Sequence, residues 1–371
     1  MAKKYIIFGA GITGEKFLYQ VYDKLEIAGF FDNRKEGALH GYKIQKPYYK
    51  EDLFVIVALD KYVEVRSQLL KLGYKEFENF IPYQIYNKKM AISYGNCHMA
   101  VIKNYMELCK KFAVEYGFYP FPQIQEMPKD FDFENILPHC KLFLHQSIRK
   151  ENKFGLKYAS SNLMRSLPKE CRIVSAPNLY GMPKCFFPQL EKSKDSFEGQ
   201  LRFLPYYEKN VWRWLEEGKT EEEILRYMVV GGIYEKEEIL KGWEEFCKKL
   251  TEREVEWDIK ISDYIFANYK TRKLFYEPFH ISSVLAREIA KRVLEYLGYD
   301  FFISYTAFPL DELEVFIYRD VKNALELEFE ETSVRIHSRG MNLESYDMSV
   351  EEYVRQLCRW IRLLKQEREH E

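Results

Sequence analysis

Charge of one sign is what this 371-residue sequence lacks: 56 Lys and Arg stand against 57 Asp and Glu, a formal net charge of −1. No global field exists to draw the chain onto nucleic acid or an anionic membrane, so neither is an expected partner, and an anionic ligand must be held by local cations. Long apolar runs are missing too. None approaches the ~18 residues of a membrane span, and the opening Tyr5-Ile6-Ile7-Phe8 reaches Gly9 far short of a secretory core. The expectation is a cytoplasmic chain with no membrane span. Paired cysteine spacing is also absent. The seven cysteines (97, 109, 140, 171, 185, 247 and 358) are odd in number, and neither CxxC nor HxxxH occurs, so we expect reduced thiols and no metal site. What is present is ordinary for a globular enzyme. With 47% hydrophobic and 30% charged residues the chain can build a core, and its length fits two domains.

The first turn signal is a strand, Tyr5–Phe8, entering Gly9-Ala10-Gly11-Ile12-Thr13-Gly14 and then an amphipathic stretch to about Leu25. A second strand ends at Asp32, 18 residues beyond Gly14, where a dinucleotide-binding βαβ unit carries its ribose-binding acid. Glycines let backbone approach a pyrophosphate, and the helix N-terminus offers free N–H groups to it. Gly9, Gly11, Gly14 and Asp32 are therefore candidate ligands of a nucleotide or nucleotide-sugar. Leu53–Leu59 reads as a buried parallel strand and Tyr62–Leu72 as a helix ending at Gly73. Residues 1–88 are short for a full dinucleotide domain, which disfavours a dehydrogenase.

These residues resemble the N-terminal domain of bacterial sugar acyltransferases related to the pilin-glycan acetyltransferases (PglD-like). The resemblance rests on Ile7–Gly14, Gly29-Phe30-Phe31-Asp32-Asn33, Gly41–Ile44 and Val55–Leu59. It implies a Rossmann-like parallel sheet and sugar-nucleotide binding; a fold that only packs against its neighbour is the alternative.

A second beginning follows at Met90–Tyr94, a short strand entering Gly95-Asn96-Cys97-His98 and a helical pattern from Met99 to Phe112. A thiol at a strand-to-helix turn is placed for nucleophilic chemistry, since a helix N-terminus favours thiolate and its amides receive an oxyanion. A buried structural cysteine is the alternative. Three further stretches read as site-bearing: the strand Lys141–Arg149, ending in Gln146, Arg149 and Lys150; Cys171–Tyr180, running on to Pro188; and Pro278-Phe279-His280 before a helix from Val284 to Leu297 that stops at Gly298.

Over about residues 90–300 these stretches resemble the WcbI-like polysaccharide-biosynthesis acetyltransferases of bacterial capsule loci. The resemblance rests on Gly95-Asn96-Cys97, Gln146, the Pro177–Pro188 stretch and the Pro278–His280 turn. The chain departs from the family where His98 replaces a glutamine and where Pro278-Phe279-His280 replaces a His-Pro order. The resemblance implies an acyltransferase that binds coenzyme A or acetyl-coenzyme A and acylates a sugar or glycan hydroxyl.

The mechanism expected from these residues has Cys97 at the thioester, His280 as first and His98 as second candidate base, and Asn96 with the Cys97 amide as oxyanion donors. Gly95, Gln146, Arg149 and Lys150 are candidate coenzyme contacts, with Lys153, Lys157, Arg165, Arg287 and Lys291 as further cations. Each histidine also has a structural reading, His98 as a helix cap and His280 as a turn residue. A thiol-dependent esterase and a noncatalytic sugar-nucleotide-binding protein are the competing functions.

The expected fold is α/β, with a Rossmann-like domain over 1–88 and a larger α/β catalytic domain over 89–371. The latter carries a helical insertion over about 194–260 that opens at Thr220-Glu221-Glu222-Glu223, and a C-terminal hairpin (Leu325–Phe329 with Ser333–His337) before a final helix from about Ser349 to Gln366. A homo-oligomer contact through this tail is left open.

Overall fold

Alternation of apolar side chains across a parallel sheet organises the N-terminal region of the computed structural model, which describes residues 4–59, 61–192, 206–301, 313–331, 334–336 and 346–370. Strand β1 (Lys4–Phe8) leads through the glycine turn to α1 (Ile12–Val21) and β2 (Ile27–Phe31). A short antiparallel pair, β3 (Gly37–Leu39) and β4 (Tyr42–Gln45), precedes β5 (Leu53–Val57), α2 (Tyr62–Leu72) and β6 (Phe80–Pro82). The six strands lie in the order β3-β4-β2-β1-β5-β6, with every pairing but β3–β4 parallel.

Period-two alternation sends Ile7, Phe30, Phe54 and Ile56 to one face, where they meet Phe17, Leu18 and Val21 of α1. Ile6, Phe8, Val55 and Val57 face the other way. They share a core with Tyr62 and Leu69 of α2 and with Met90, Ile92, Tyr94 and Phe143 from further along the chain. The first 88 residues thus bury one of their two faces against later residues of the same unit. Helix α2 ends where it was expected to, at Gly73 in the left-handed conformation with φ 101°.

The second strand-turn-helix repeats the first mechanically. Strand β7 (Lys89–Tyr94) enters α3 (Cys97–Glu107), followed by α4 (Lys110–Glu115), β8 (Tyr116–Phe118), α5 (Phe133–Ile136), β9 (Leu142–Gln146), α6 (Ser160–Leu163) and β10 (Arg172–Ala176). The helical pattern expected to run to Phe112 is broken at Leu108, so two short helices stand where one was expected. Strands β8, β7 and β9 pair in parallel, and the Arg172 N–H bonds the Lys141 carbonyl at 3.0 Å as β10 begins.

Beyond β11 (Leu190–Lys192) and β12 (Tyr206–Glu208) come α7 (Lys209–Glu216), α8 (Glu221–Val230), α9 (Lys236–Glu254) and α10 (Ser262–Asn268). The expected helical insertion is present from Lys209 onward, and its first part, residues 194–205, lies outside the described residues. Thr220 and Glu223 form a capping box at α8, which satisfies two otherwise orphaned amides. A hairpin, β13 (Phe275–Glu277) and β14 (His280–Ile281), leads into α11 (Ser283–Leu297), capped by Ser282 and closed by left-handed Gly298.

The tail holds β15 (Leu313–Glu314), α12 (Arg319–Ala324), β16 (Val334–Ile336), β17 (Tyr346–Met348) and α13 (Val350–His370). Here one expectation fails. Leu325–Phe329 is not a strand: Leu325 closes α12 and Glu326 has φ 53°. Strand β16 pairs instead with β15 and β17 in a three-stranded antiparallel sheet. Period-two spelling alone did not distinguish a strand from a helix end whose turn happens to alternate.

The chain packs into two compact units, residues 1–94 with 110–173, and residues 95–109 with 174–371. Within the second, α3 and α11 pack side by side. Among the described residues no helix is long and apolar enough to cross a membrane. Nor does any group of three or more His, Cys, Asp and Glu among them form a metal-holding cluster.

Candidate active site

Two strand-to-helix turns carry the residues singled out from the sequence. In the first, Gly9 takes φ 113° and donates its N–H to Phe31 at 2.7 Å. Gly14 is enforced by packing: a Cβ there would sit 1.8 Å from the Gly9 carbonyl oxygen, whereas one on Gly11 would meet nothing within 4 Å. Asp32 turns back onto the loop. Its Oδ2 accepts the Ala10 N–H at 2.9 Å, and its Oδ1 accepts those of Arg34 and Lys35 at 2.8 and 2.9 Å. Burial pushes this carboxyl up, but the three amides and the Lys35 charge outweigh it and hold the group below its ordinary value. Lys35 Nζ also donates to the Ala10 carbonyl at 2.8 Å, so the acid and its neighbour both staple the turn.

In the second turn Gly95 leads to Asn96, the N-cap of α3. The Asn96 side chain accepts the His98 N–H at 3.0 Å, and its carbonyl accepts the Met99 N–H at 3.0 Å. These caps satisfy the second and third amides of the helix and leave the first, that of Cys97, next to its own half-buried thiol. The Asn96 Nδ2 donates to Asn178 Oδ1 at 3.3 Å, tying the turn to the loop after β10.

His98 is 1% exposed. Its Nε2 lies 2.6 Å from the Phe279 carbonyl, which can only accept, so the ring donates there. Burial outweighs that bond and lowers its pKa to about 3, with the nearby His280 acting in the same direction. His98 is therefore a neutral ring whose proton is committed to the backbone of the β13–β14 turn.

His280 differs in every respect. Its side chain is 21% exposed and its Nδ1 lies 2.7 Å from Oε1 of the fully buried Glu277. The N–H does not point along that vector, which makes the contact a charge pair rather than an aligned hydrogen bond. Burial pulls the imidazole down; the hydrogen bond to Cys97, the Glu277 carboxylate and the Cys97 charge more than reverse this and raise its pKa to about 10. Glu277 is itself held by the Phe279 N–H, which donates to Oε2 at 2.6 Å. The site is walled by Tyr180, whose ring stands 4.7 Å from that of Phe279 and whose phenol is raised by burial and by the charges of Cys97 and Glu277.

Of the expected residues, Cys97, His280, His98 and Asn96 converge here. Gln146, Arg149 and Lys150 belong to the other unit: Gln146 is buried at the end of β9, with its carbonyl accepting from Ser160 Oγ at 3.0 Å, and Arg149 and Lys150 are exposed just beyond. Glu277 was missed. Its signal was parity: Phe275 is a core residue of β13, so the residue two along points the same way, and a carboxylate at an inward position calls for a partner.

A thiol at a helix N-terminus, an imidazole held positive by it and a buried acid against the imidazole stand together here, on an α/β fold with parallel sheets. Residues 90–301, more than half of the chain, match the family model described as polysaccharide biosynthesis enzyme WcbI, and this chain belongs to that family. Residues 1–79 match the family model described as C2185-like, N-terminal. No curated protein matches. Among solved structures, one of WcbI is similar to this chain with a TM-score of 0.60 and 20% identity, covering 74% of this chain and 90% of its own. It is described as a novel polysaccharide biosynthesis enzyme, in its native form without a disulfide bond between coenzyme A and a cysteine.

Proposed function

We propose that this polysaccharide biosynthesis enzyme is an acyltransferase that takes an acyl group from coenzyme A onto Cys97 and passes it to a sugar hydroxyl. The observation that carries the reading is the chain of contacts from Cys97 through His280 to Glu277. The similar WcbI structure, whose description names coenzyme A together with a cysteine, supports a thioester as the molecule that reaches Cys97.

In the first half-reaction Cys97 Sγ, as thiolate, attacks the thioester carbonyl while its proton resides on His280. The new Cys97 thioester forms, the bond to the coenzyme sulfur breaks, and His280 gives its proton to the departing thiolate. The Cys97 N–H, first in α3, receives the carbonyl oxygen as it gains charge. Acylation also resets the base. An acylated Cys97 carries no charge, so two of the contributions that raise the His280 pKa vanish while burial remains. Neutral His280 then accepts the sugar hydroxyl proton, the alkoxide takes the acyl group, and the thiolate and imidazolium are restored. Glu277 orients His280. His98 positions the turn that carries both, through its bond to Phe279.

The test is a calorimetric titration with coenzyme A and acetyl-coenzyme A, paired with an acetyl-transfer assay on sugar nucleotides, for the wild type and Cys97→Ala. Binding by both proteins with transfer lost in the variant is expected. Absence of coenzyme A binding in the wild type would sink the reading, and acetate release without any acceptor product would replace it with a hydrolase. The glycine turn at Gly9–Gly14, Rossmann-like in its parallel setting, is proposed to brace the fold, because Asp32 is spent on its own loop.

A further inference from the structure

Strand β9 and the start of β10 are joined where the Arg172 N–H meets the Lys141 carbonyl at 3.0 Å. Cys140 and Cys171 each stand one residue before those partners, with 30 residues between them, and both lie in the first compact unit. Neighbouring strands run about 4.8 Å apart, so backbone pairing brings the two thiols to one place. Their sulfurs share a hydrogen bond, donated by Cys140 to Cys171. Each is also seated against its own strand: Cys140 Sγ is 3.1 Å from the Leu142 carbonyl oxygen, and Cys171 Sγ is 3.6 Å from that of Arg172. Both are free thiols in this structure.

The pair is unequal. Cys140 is fully buried in the core cluster that holds Ile136, Leu137 and Phe143. Burial pushes its thiol up, and donating to Cys171 adds to this. Cys171 is 9% exposed and lies between the exposed Glu170 and Arg172. The bond from Cys140 pulls its thiol down; burial opposes this, but a bond from the Phe143 backbone and the Lys141 charge leave it below its ordinary value. The Glu170 carboxylate works in the other direction and is engaged by Lys141 at 2.6 Å. The outer sulfur favours thiolate, and the inner one keeps its proton. An electrophile therefore reacts first at Cys171.

We infer that Cys140 and Cys171 form an oxidisable dithiol, closed to a disulfide by a peroxide that reaches Cys171 from the surface. The Cys171 thiolate attacks one peroxide oxygen, the O–O bond breaks, and the departing hydroxide takes up the proton that Cys171 shed, leaving as water. Cys171 is then a sulfenic acid. The Cys140 sulfur attacks the Cys171 sulfur, the S–O bond breaks, and the leaving hydroxide carries off the Cys140 proton as a second water. Two thiols and one hydrogen peroxide thus give one disulfide and two waters. The cross-link closes the chain between β9 and β10 into a loop, which stabilises the fold chiefly by restricting the unfolded chain. A dithiol reductant reverses it. This pair works independently of acyl transfer at Cys97.

The test uses the full chain carrying Cys97→Ala, which removes the thiol of the candidate active site. The protein is treated with hydrogen peroxide, blocked with N-ethylmaleimide in denaturant and mapped by peptide mass spectrometry. A linked Cys140–Cys171 peptide, two hydrogens lighter than the reduced pair, is expected, with a melting temperature higher by about 5 °C, and dithiothreitol should reverse both. With Cys140→Ser added, the reaction should stop at its first step, and dimedone should trap the sulfenic acid on Cys171. With Cys171→Ser added, no dimedone adduct should form on Cys140. Recovery of both thiols as N-ethylmaleimide adducts, a disulfide to any other cysteine, or dimedone on Cys140 in place of Cys171 overturns the dithiol. A linked peptide with no rise in melting temperature overturns its stabilising role. The peptide map needs no substitution in the pair, so it decides the question even where a serine variant fails to fold.

Discussion

The two strand-to-helix turns of this protein share a mechanical plan and differ in where their polar groups go. At Gly9–Gly14 the acid that follows, Asp32, is taken up by three amides of the adjoining loops. At Gly95–Cys97 the cap residue satisfies the second and third amides of α3 and leaves the thiol beside an imidazole whose charge is held by a buried carboxylate. A glycine turn thus supplies a helix N-terminus, but its chemistry is set by what the rest of the chain brings to it. The acid of the first turn is taken up by its own loop; the second turn keeps a thiol half-exposed.

The contrast breaks most sharply at Cys97. Cys97→Ser should lower acyl transfer at least about 1,000-fold with the melting temperature nearly unchanged, because a hydroxyl fits the space without matching the nucleophilicity of a thiolate. Steady-state assays with calorimetry on the same preparation check this, and retained activity would return Cys97 to a structural role.

Glu277→Gln should cost about 10- to 100-fold and also move a pH limb. His280 has a folded pKa of about 10 against an ordinary 6.5. Its raised value contributes stability that is full below pH 6.5 and lost as pH rises through about 10. Removing the Glu277 charge lowers the folded value, so both the alkaline activity limb and the alkaline loss of thermal stability should begin at lower pH. A pH profile unmoved by the substitution would remove Glu277 from the site.

At the first turn the expected effects are on folding. Gly14→Ala should destabilise by about 1–3 kcal/mol through the clash with the Gly9 carbonyl, while Gly11→Ala, facing open space, should stay within about 0.5 kcal/mol in urea unfolding. Asp32→Ala, which strands three loop amides that water can partly reach, should cost about 1 kcal/mol or somewhat more at neutral pH. Asp32 has a lowered folded pKa, so its contribution is present above its unfolded value and fades as pH falls through the folded one. Comparing wild type and variant unfolding at neutral and acidic pH shows whether the difference closes.

Local features were legible in the linear text because their causes are local. The α2 stop at Gly73, the cap at Thr220, the start of α11 within a residue of Val284 and its end at Gly298 follow from capping and backbone freedom within a few residues. Cys97 at a helix start was readable for the same reason. Leu325–Phe329 was misread because alternation over five residues does not record whether a partner strand is in reach.

By itself, then, the sequence determined the two glycine turns, the parallel strand pattern and the thiol at the head of α3, since periodicity, caps and glycine conformations act over neighbouring residues. Only the tertiary structure decided that Glu277 stands behind His280, that His98 is a buried neutral ring bonded to the Phe279 carbonyl, and that Asp32 accepts the amides of its own loop. Those assignments depend on burial and on partners as many as 181 positions away, and desolvation and pairing act through space, where no spacing along the chain records them.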